Sequence, residues 1–375
     1  FGSFSTNRLD KKELETLITN GIESTRYLAV DESRMLADPA RYYKGGKPDL
    51  QLFDKKLYEV NPDDKVAIAR AAAEEVLGKD ERIISVDSSY SDGEGSSYRL
   101  ISNGFEGESK STWFSVSASV SIKGEGEARP QDYWYDSALF YDKLTKTGIG
   151  AKALERVLRK LGQKKAKSGK YTMVVDPMNV GNLLSPMLSA LYGSALQQKN
   201  SFLMDKLDAK VASDLFTLRD EPHVIGANGS RYFDNEGVAT EPRTVFDKGV
   251  LKTYFIDTYN GKKMNMAPTI STPSRLILVP GDKDLNGLVA DVKQGILVTG
   301  FNGGNSNSST GDFSYGIEGF LIEDGKLTQP VNEMNVTGNM VALWNSLVAV
   351  GNDPQPNRSW QIPSLVFEGV DFSGL

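Results

Sequence analysis

The sequence predicts an α+β protein, with N-terminal helices packed on an antiparallel sheet followed by a β-rich, barrel-like C-terminal domain. Three observations lead there. Apolar residues recur at helical spacing near the start, and between Arg82 and about Lys143 the period changes to two. Past residue 200, short apolar runs alternate with Gly, Asn and Asp turns. A length of 375 residues lets two domains each bury a core, and 39% hydrophobic with 25% charged residues rules out global disorder.

Taken in order, Leu14, Leu17, Ile18 and Ile22 fall on one face of an amphipathic helix. Residues 33–58 lack periodicity and contain Pro39, Gly45, Gly46 and Pro48, the pattern of a long surface connection. A second helix starts where Asn61 can cap it. Pro62 suits its first turn, Asp63 and Asp64 complement its dipole, and Gly78 stops it. Phe114, Val116, Ala118, Val120 and Ile122 then alternate with Ser115, Ser117, Ser119, Ser121 and Lys123, as in a half-buried antiparallel strand. Ile83 to Ser88 and Ser97 to Ser102 are expected as separate strands of a meander, divided by Gly- and Ser-rich turns, with helices gathered on one face. Leu154, Val157, Leu158 and Leu161 mark a third helix ending at Gly162. The Lys/Gly/Ser stretch 163–170 divides domain 1–165 from domain 166–375. The second domain opens with a strand, Tyr171 to Val175, and a buried helix carrying Leu183, Leu184, Met187, Leu188, Leu191 and Leu196. Pro186 must sit in its first turn or kink it. Strands are expected at Thr253 to Ile256, Arg275 to Val279, Gly295 to Val298, Gly316 to Ile322 and Leu365 to Glu368, with no internal repeat.

The chemistry is bounded by a count: one histidine, His223, and no cysteine. Zinc normally takes three or four ligands from His, Cys and carboxylates, so a self-contained His/Cys zinc site is excluded, as are disulfides and thiol catalysis. No apolar stretch approaches the roughly 20 residues of a membrane span, since Met340 to Val350 is interrupted by Asn345 and Ser346. The cytoplasm is the expected compartment. The chain starts at Phe1 without a methionine, so an upstream segment is expected. A net charge of −6 gives no general attraction to polyanions. The basic run Arg156, Arg159, Lys160, Lys164, Lys165, Lys167 and Lys170 reads as a solvated helix end, without the interleaved aromatics that would stack on bases. Phosphate-binding and nucleophile motifs (GxxxxGK[ST], GxGxxG, GxSxG) are absent. His223 reads as structural, because nothing identifies an orienting partner. Asp205/Asp208, Asp220/Glu221 and Asp234/Glu236 read as solvated loops or caps. In the segment 298–325, VTGFNGGNSNSSTGDFSYGIEGFLIEDG, small polar residues dominate. It either presents backbone to a peptide strand or is a Gly-rich hairpin that turns the chain.

Three stretches carry a resemblance: Arg231-Tyr-Phe-Asp-Asn-Glu-Gly-Val-Ala-Thr-Glu-Pro-Arg243, the segment 298–325, and Lys326-Leu-Thr-Gln-Pro-Val-Asn-Glu-Met334 with Gly338-Asn339 after it. Together they resemble the TldD/PmbA family in its PmbA (TldE) branch, over essentially the whole chain, and the start at Phe1 resembles the interior of that family's first domain. The resemblance implies a comparison with TldD, which carries an H-E-x-x-x-H helix and a cysteine metal ligand. The matching helix here is Asn182 to Leu196, with Ser185, Pro186 and Ala190 at the three motif positions, so no metal role carries over. What is implied is the non-catalytic subunit of a heterodimeric metallopeptidase acting on unfolded peptides. Zinc or a similar divalent metal would belong to a TldD-like partner, with no cofactor bound by this chain. Asn305, Ser306, Thr310, Asp312, Phe313 and Tyr315 are the candidate peptide-cleft residues. The family's older description, modulator of DNA gyrase, leaves a second class open: a homodimeric binding module that sequesters a peptide or acts on gyrase without proteolysis.

Overall fold

A computed structural model describes residues Phe1–Leu375. Helix α1, Lys11–Thr25, forms as its spacing predicts and is capped by Asp10, whose carboxylate accepts from the Glu13 N–H at 3.0 Å. Its apolar face is nonetheless left open, with Ile18 59% and Ile22 52% exposed. Residues 26–61 run as an irregular connection with short helical turns at Pro39–Arg41 and Lys55–Tyr58. Helix α2, Pro62–Glu74, starts at the expected cap, where Asn61 accepts from Asp64 N–H at 2.9 Å.

Three antiparallel strands follow: β1 (Ile83–Ile101), β2 (Phe105–Ile122) and β3 (Gln131–Ala138), in the order β1-β2-β3. The two expected strands 83–88 and 97–102 are one, because the Gly/Ser stretch between them stays in the ladder, Gly93 opposite Trp113 and Gly95 opposite Ser111. A Cβ on Gly93 would lie 3.0 Å from the Trp113 indole. The glycine therefore makes room for a cross-strand ring instead of turning the chain. Phe114, Val116, Ala118, Val120 and Ile122 bury against Ala72 and Val76 and against helix α3, Ile149–Leu158, through Ile149, Ala153 and Val157.

The remainder contains β4 (Gly169–Val175), α4 (Gly181–Ser189), α5 (Gly193–Gln197), β5 (Leu218–Asp220), β6 (Arg243–Asp247), β7 (Val250–Leu251), α6 (Thr258–Met264), β8 (Leu276–Leu278), α7 (Leu285–Ala290), β9 (Gln294–Ser306), β10 (Asp312–Glu323), β11 (Lys326–Asn339), α8 (Met340–Asn345), β12 (Leu347–Val350), β13 (Trp360–Gln361) and β14 (Leu365–Ser373). Strands run β11-β10-β9-β4-β14, and β14 pairs back onto β11 through Asn335/Ser373, Val336/Phe372 and Thr337/Asp371. The barrel-like expectation is thus met by a closed five-strand barrel, antiparallel except at β4/β9. Met173, Val175, Ile296 and Val298 join the large core, while the intervening Val174 and Leu297 bury against Leu288 and Val289 of α7, as a period of two requires. A second sheet runs β13-β8-β5-β6-β7. No helix is long and apolar enough to cross a membrane.

Two local expectations fail. The single helix through Leu196 is broken into α4 and α5, and Pro186 sits inside α4, past its first turn, where it offers no N–H to the helix. Thr253 to Ile256 is not a strand. Phe255 instead donates its N–H to Leu191 O at 2.9 Å and accepts from Gly193 N–H at 2.7 Å, so the break between the two helices takes the backbone groups a strand partner would have used.

Candidate functional site

Helix α4 inherits its orientation from its apolar side. Leu183, Leu184, Met187 and Leu188 are buried, and the Trp344 indole N–H of α8 reaches Leu183 O at 3.3 Å. That leaves Asn182, Ser185 and Ser189 on the open face, with Pro186 half-buried between them. Ala190 is buried at 2% exposure. Of these, Ser185, Pro186 and Ala190 are the positions matched to the H-E-x-x-x-H motif. Together they offer one hydroxyl, a ring without a donor and a methyl group inside the core, and nowhere do three or more His, Cys, Asp or Glu side chains gather closely enough to hold a metal. The residues present do not fit a metallopeptidase zinc centre.

Beside the start of α4, the loop between β12 and β14 encloses a cavity of about 200 Å³ with Met178, Gly181, Arg358, Trp360 and Ile362 in its wall. The Arg358 guanidinium stands 4.7 Å over the ring of Tyr135 on β3.

The Gly/Asn/Ser segment is a hairpin, with Ser306 opposite Phe313 and Asn305 opposite Ser314. Gly304 takes φ +93°, and a Cβ there would run into the Ser314 carbonyl, so the close strand approach demands glycine. At the tip, Thr310 Oγ1 donates to Asp312 Oδ2 at 2.8 Å and Asn339 Nδ2 to Asp312 Oδ1 at 3.0 Å, both of which hold the Asp312 carboxyl below its usual range. The backbone of Ser308 accepts from Phe202 N–H at 3.0 Å. Asn305, Thr310 and Asp312 are exposed and Ser306 half-buried. Phe313 and Tyr315 must be corrected from cleft to core: at 5% and 9% exposure, stacked 5.4 Å apart, they fill the inward side of β10.

The stretch Arg231 to Arg243 acts as a clasp. Asp234 accepts from the N–H groups of Glu236 (2.9 Å), Val238 (3.0 Å) and Ser271 (3.0 Å). Glu236 accepts at 3.0 Å from both Thr258 N–H and its hydroxyl at the start of α6. Burial pushes the Glu236 carboxyl up, and the neighbouring Asp234 and Asp257 add to it. Asp220 accepts at 2.9 Å from Ser274 and Arg275 N–H, and burial raises it too. Of the two expected alternatives, solvated loops or caps, Asp220 and Asp234, at 1% and 2% exposure, are not solvated, and both instead accept from backbone N–H groups. His223 meets the Thr240 hydroxyl at 3.0 Å and the Tyr232 ring at 5.0 Å, with no carboxylate to orient it as a base.

The basic run needs correction in part. Arg156 meets Asp132 at 3.2 Å and Asp176 at 3.7 Å, and Lys160, 8% exposed, bridges Asp132 at 3.2 Å and Glu318 at 2.7 Å. These cations tie α3 and β3 to the barrel and are not a solvated helix end. The sequence held a signal for this, since Arg156 and Lys160 continue the 3-and-4 spacing of Ile149 and Ala153 on the buried face.

Residues 168–374 match the family described as PmbA/TldA metallopeptidase C-terminal domain, and residues 55–161 its central domain. The Metalloprotease PmbA homolog of Haemophilus influenzae is 28% identical over 378 residues, covering 100% of this chain and 83% of that protein. A crystal structure from Bacteroides thetaiotaomicron, provisionally described as a modulator of DNA gyrase, is 74% identical with a TM-score of 0.99, covering 100% of this chain and 86% of that one. TldE from Thermococcus kodakarensis shares the fold at a TM-score of 0.81 and 21% identity, over 98% of this chain and 86% of that one.

Proposed function

The chain belongs to the PmbA/TldD metallopeptidase family, and from that premise we propose that it is a non-catalytic subunit of a peptide-degrading or peptide-processing complex. The observation that carries the reading is the set of side chains at the motif positions in and just after α4. Where the family resemblance puts two histidines and a glutamate, this chain has Ser185, Pro186 and Ala190, and the whole sequence has one histidine and no cysteine with which to rebuild the site. Zinc or a similar divalent metal, held by an H-E-x-x-x-H paralogue, would polarise the scissile carbonyl and activate water. This chain contributes shape and binding surface to a chamber for an unfolded peptide. The cytoplasm is the compartment in which such a pair would work.

The test is affinity purification of the full-length protein from its host at low salt, with co-purifying chains identified by mass spectrometry. An H-E-x-x-x-H paralogue in near-equal amount, and peptide hydrolysis that appears only when the two are mixed, is the expected result. Recovery alone or with a topoisomerase would replace this reading with that of a homodimeric binding module. That alternative is motivated by the description of the Bacteroides thetaiotaomicron relative as a gyrase modulator.

A further inference from the structure

The loop between β12 and β14 is fixed on all sides except at one cation. Asp353 accepts from Ser364 N–H at 2.9 Å, from the Ser364 hydroxyl at 2.8 Å and from Leu285 N–H at 2.9 Å. Ser359 O accepts from Leu276 N–H at 3.0 Å, and Arg358 O accepts from Arg275 Nη1 at 2.8 Å and Gln361 Nε2 at 2.7 Å. The Arg358 guanidinium itself has no carboxylate beside it. Burial pulls its pKa down, and the only titratable group opposing that is Tyr133. This sets it apart from Arg156, which is half of a buried ion pair, and from Arg231, whose Nε donates to Ser274 Oγ at 2.9 Å.

The guanidinium donors are open to solvent and unspent within the chain, so an arriving acceptor can take them. Its surroundings say what would fit. The cavity of about 200 Å³ falls below the roughly 300–1,000 Å³ of sites that enclose a whole small molecule, so it suits one terminal group. Its wall combines Met178, Trp360 and Ile362 with Arg358 and contains no acidic residue. From the guanidinium, Tyr135 and then Tyr133, stacked 6.0 Å apart, lead outward along the serine-bearing face of the β1-β2-β3 sheet.

We propose that this pocket binds a carboxylate of a peptide, in the first instance a free C-terminal α-carboxylate. Its two oxygens would be paired with the planar fork of Arg358, its last side chain placed against Met178 and Trp360, and the preceding residues carried over Tyr135 and Tyr133. The proposal rests on the peptide-binding role argued above and names the end of the substrate that this subunit holds.

The test uses the full chain and a fluorescein-labelled unstructured peptide of Gly, Ser and Ala ending in Leu. Three forms are compared: free acid, C-terminal amide, and amide with a penultimate Glu. Fluorescence anisotropy at low salt should show the acid binding roughly 10–100-fold tighter than the plain amide, the range of a charge-assisted hydrogen bond. Arg358→Gln should abolish that difference while Arg358→Lys keeps part of it, both variants retaining the parent's urea midpoint. If the Glu-containing amide matches the acid, carboxylate recognition stands and its source is a side chain. Equal affinity for all three forms, no binding of any, or a preference that survives Arg358→Gln overturns the proposal. Undiminished turnover by a paralogue complex carrying Arg358→Gln, with acid and amide equivalent, removes the pocket and leaves the subunit reading intact. Acid-selective binding by a chain that purifies without a paralogue does the reverse.

Discussion

Lys160 neutralises Asp132 and Glu318 at once from a position that is 8% exposed, so removing its ammonium leaves Glu318 without its cation and Asp132 with Arg156 alone. Lys160→Met should cost about 3–5 kcal/mol, the usual penalty for breaking a buried ion pair from one side. Urea denaturation measures it, and a loss under 1 kcal/mol would show that water already reaches the cluster. Glu236 makes a pH prediction. Its folded pKa is raised above the ordinary 4.5 chiefly by burial, so its contribution to stability is fullest below the unfolded value and is lost as pH rises through the folded one. Glu236→Gln keeps an acceptor for Thr258 and carries no charge. The variant should therefore gain stability relative to the parent as pH climbs from about 4 to 7, and a gap that stays flat or narrows over that range would sink the assignment. At this scale the shortage of histidine and cysteine is legible directly, since a count of one and none needs no fold to interpret. The burial of Asp220 and Asp234 was not, because the amides that hold Asp220 lie 54 and 55 positions away and the Ser271 amide that joins two local ones on Asp234 lies 37 away.

The same contrast between local and distant partners separates one helix start from another. The cap of α2 was readable because Asn61, Pro62 and Asp64 stand side by side. Helix α3 has Gly148 at its N-cap, with no side chain to cap with, and its free amides are served by Glu75, the C-cap residue of α2: Gly148 N–H at 2.6 Å, Gly150 N–H at 2.8 Å and Ala151 N–H at 3.2 Å. Glu75→Ala should cost about 1–2 kcal/mol by leaving those donors unpaired, seen as a lower denaturation midpoint. An unchanged midpoint would mean that water caps the helix as well. Alternation identifies a strand where the two faces differ, as along Phe114 to Ile122, and misses one at Ser91 to Ser97. There glycine has the local signature of a turn, whereas Gly93 admits the Trp113 ring from the partner strand.

Across the whole molecule, the β-rich character of the second half was visible in its spacing of short apolar runs, but the closure of the barrel was not. Nothing local to Asn335 says that it will face Ser373, nor to Met173 that it will face Phe367. The C-terminal end of β14 carries that closure. Val370 and Phe372 are 6% and 3% exposed, and Tyr171 and Val336 lie opposite them. Removing the chain from Val370 onward should leave β11 and the Gly169–Tyr171 part of β4 with bare edges and yield aggregating protein, measured by light scattering and loss of near-UV dichroism. A monomeric, cooperatively folded truncation would show that β14 is dispensable. The same closure bears on how the protein is made. β4 pairs with β9 and β14, both specified far downstream, so on a ribosome adding ~5–20 residues per second β4 waits roughly 10–40 s for its last neighbour. Through that interval the nascent chain carries unpaired apolar strand, which makes the second half of this protein a candidate client for the chaperones that shield emerging polypeptides, while the α2/α3 unit can already have folded ahead of it.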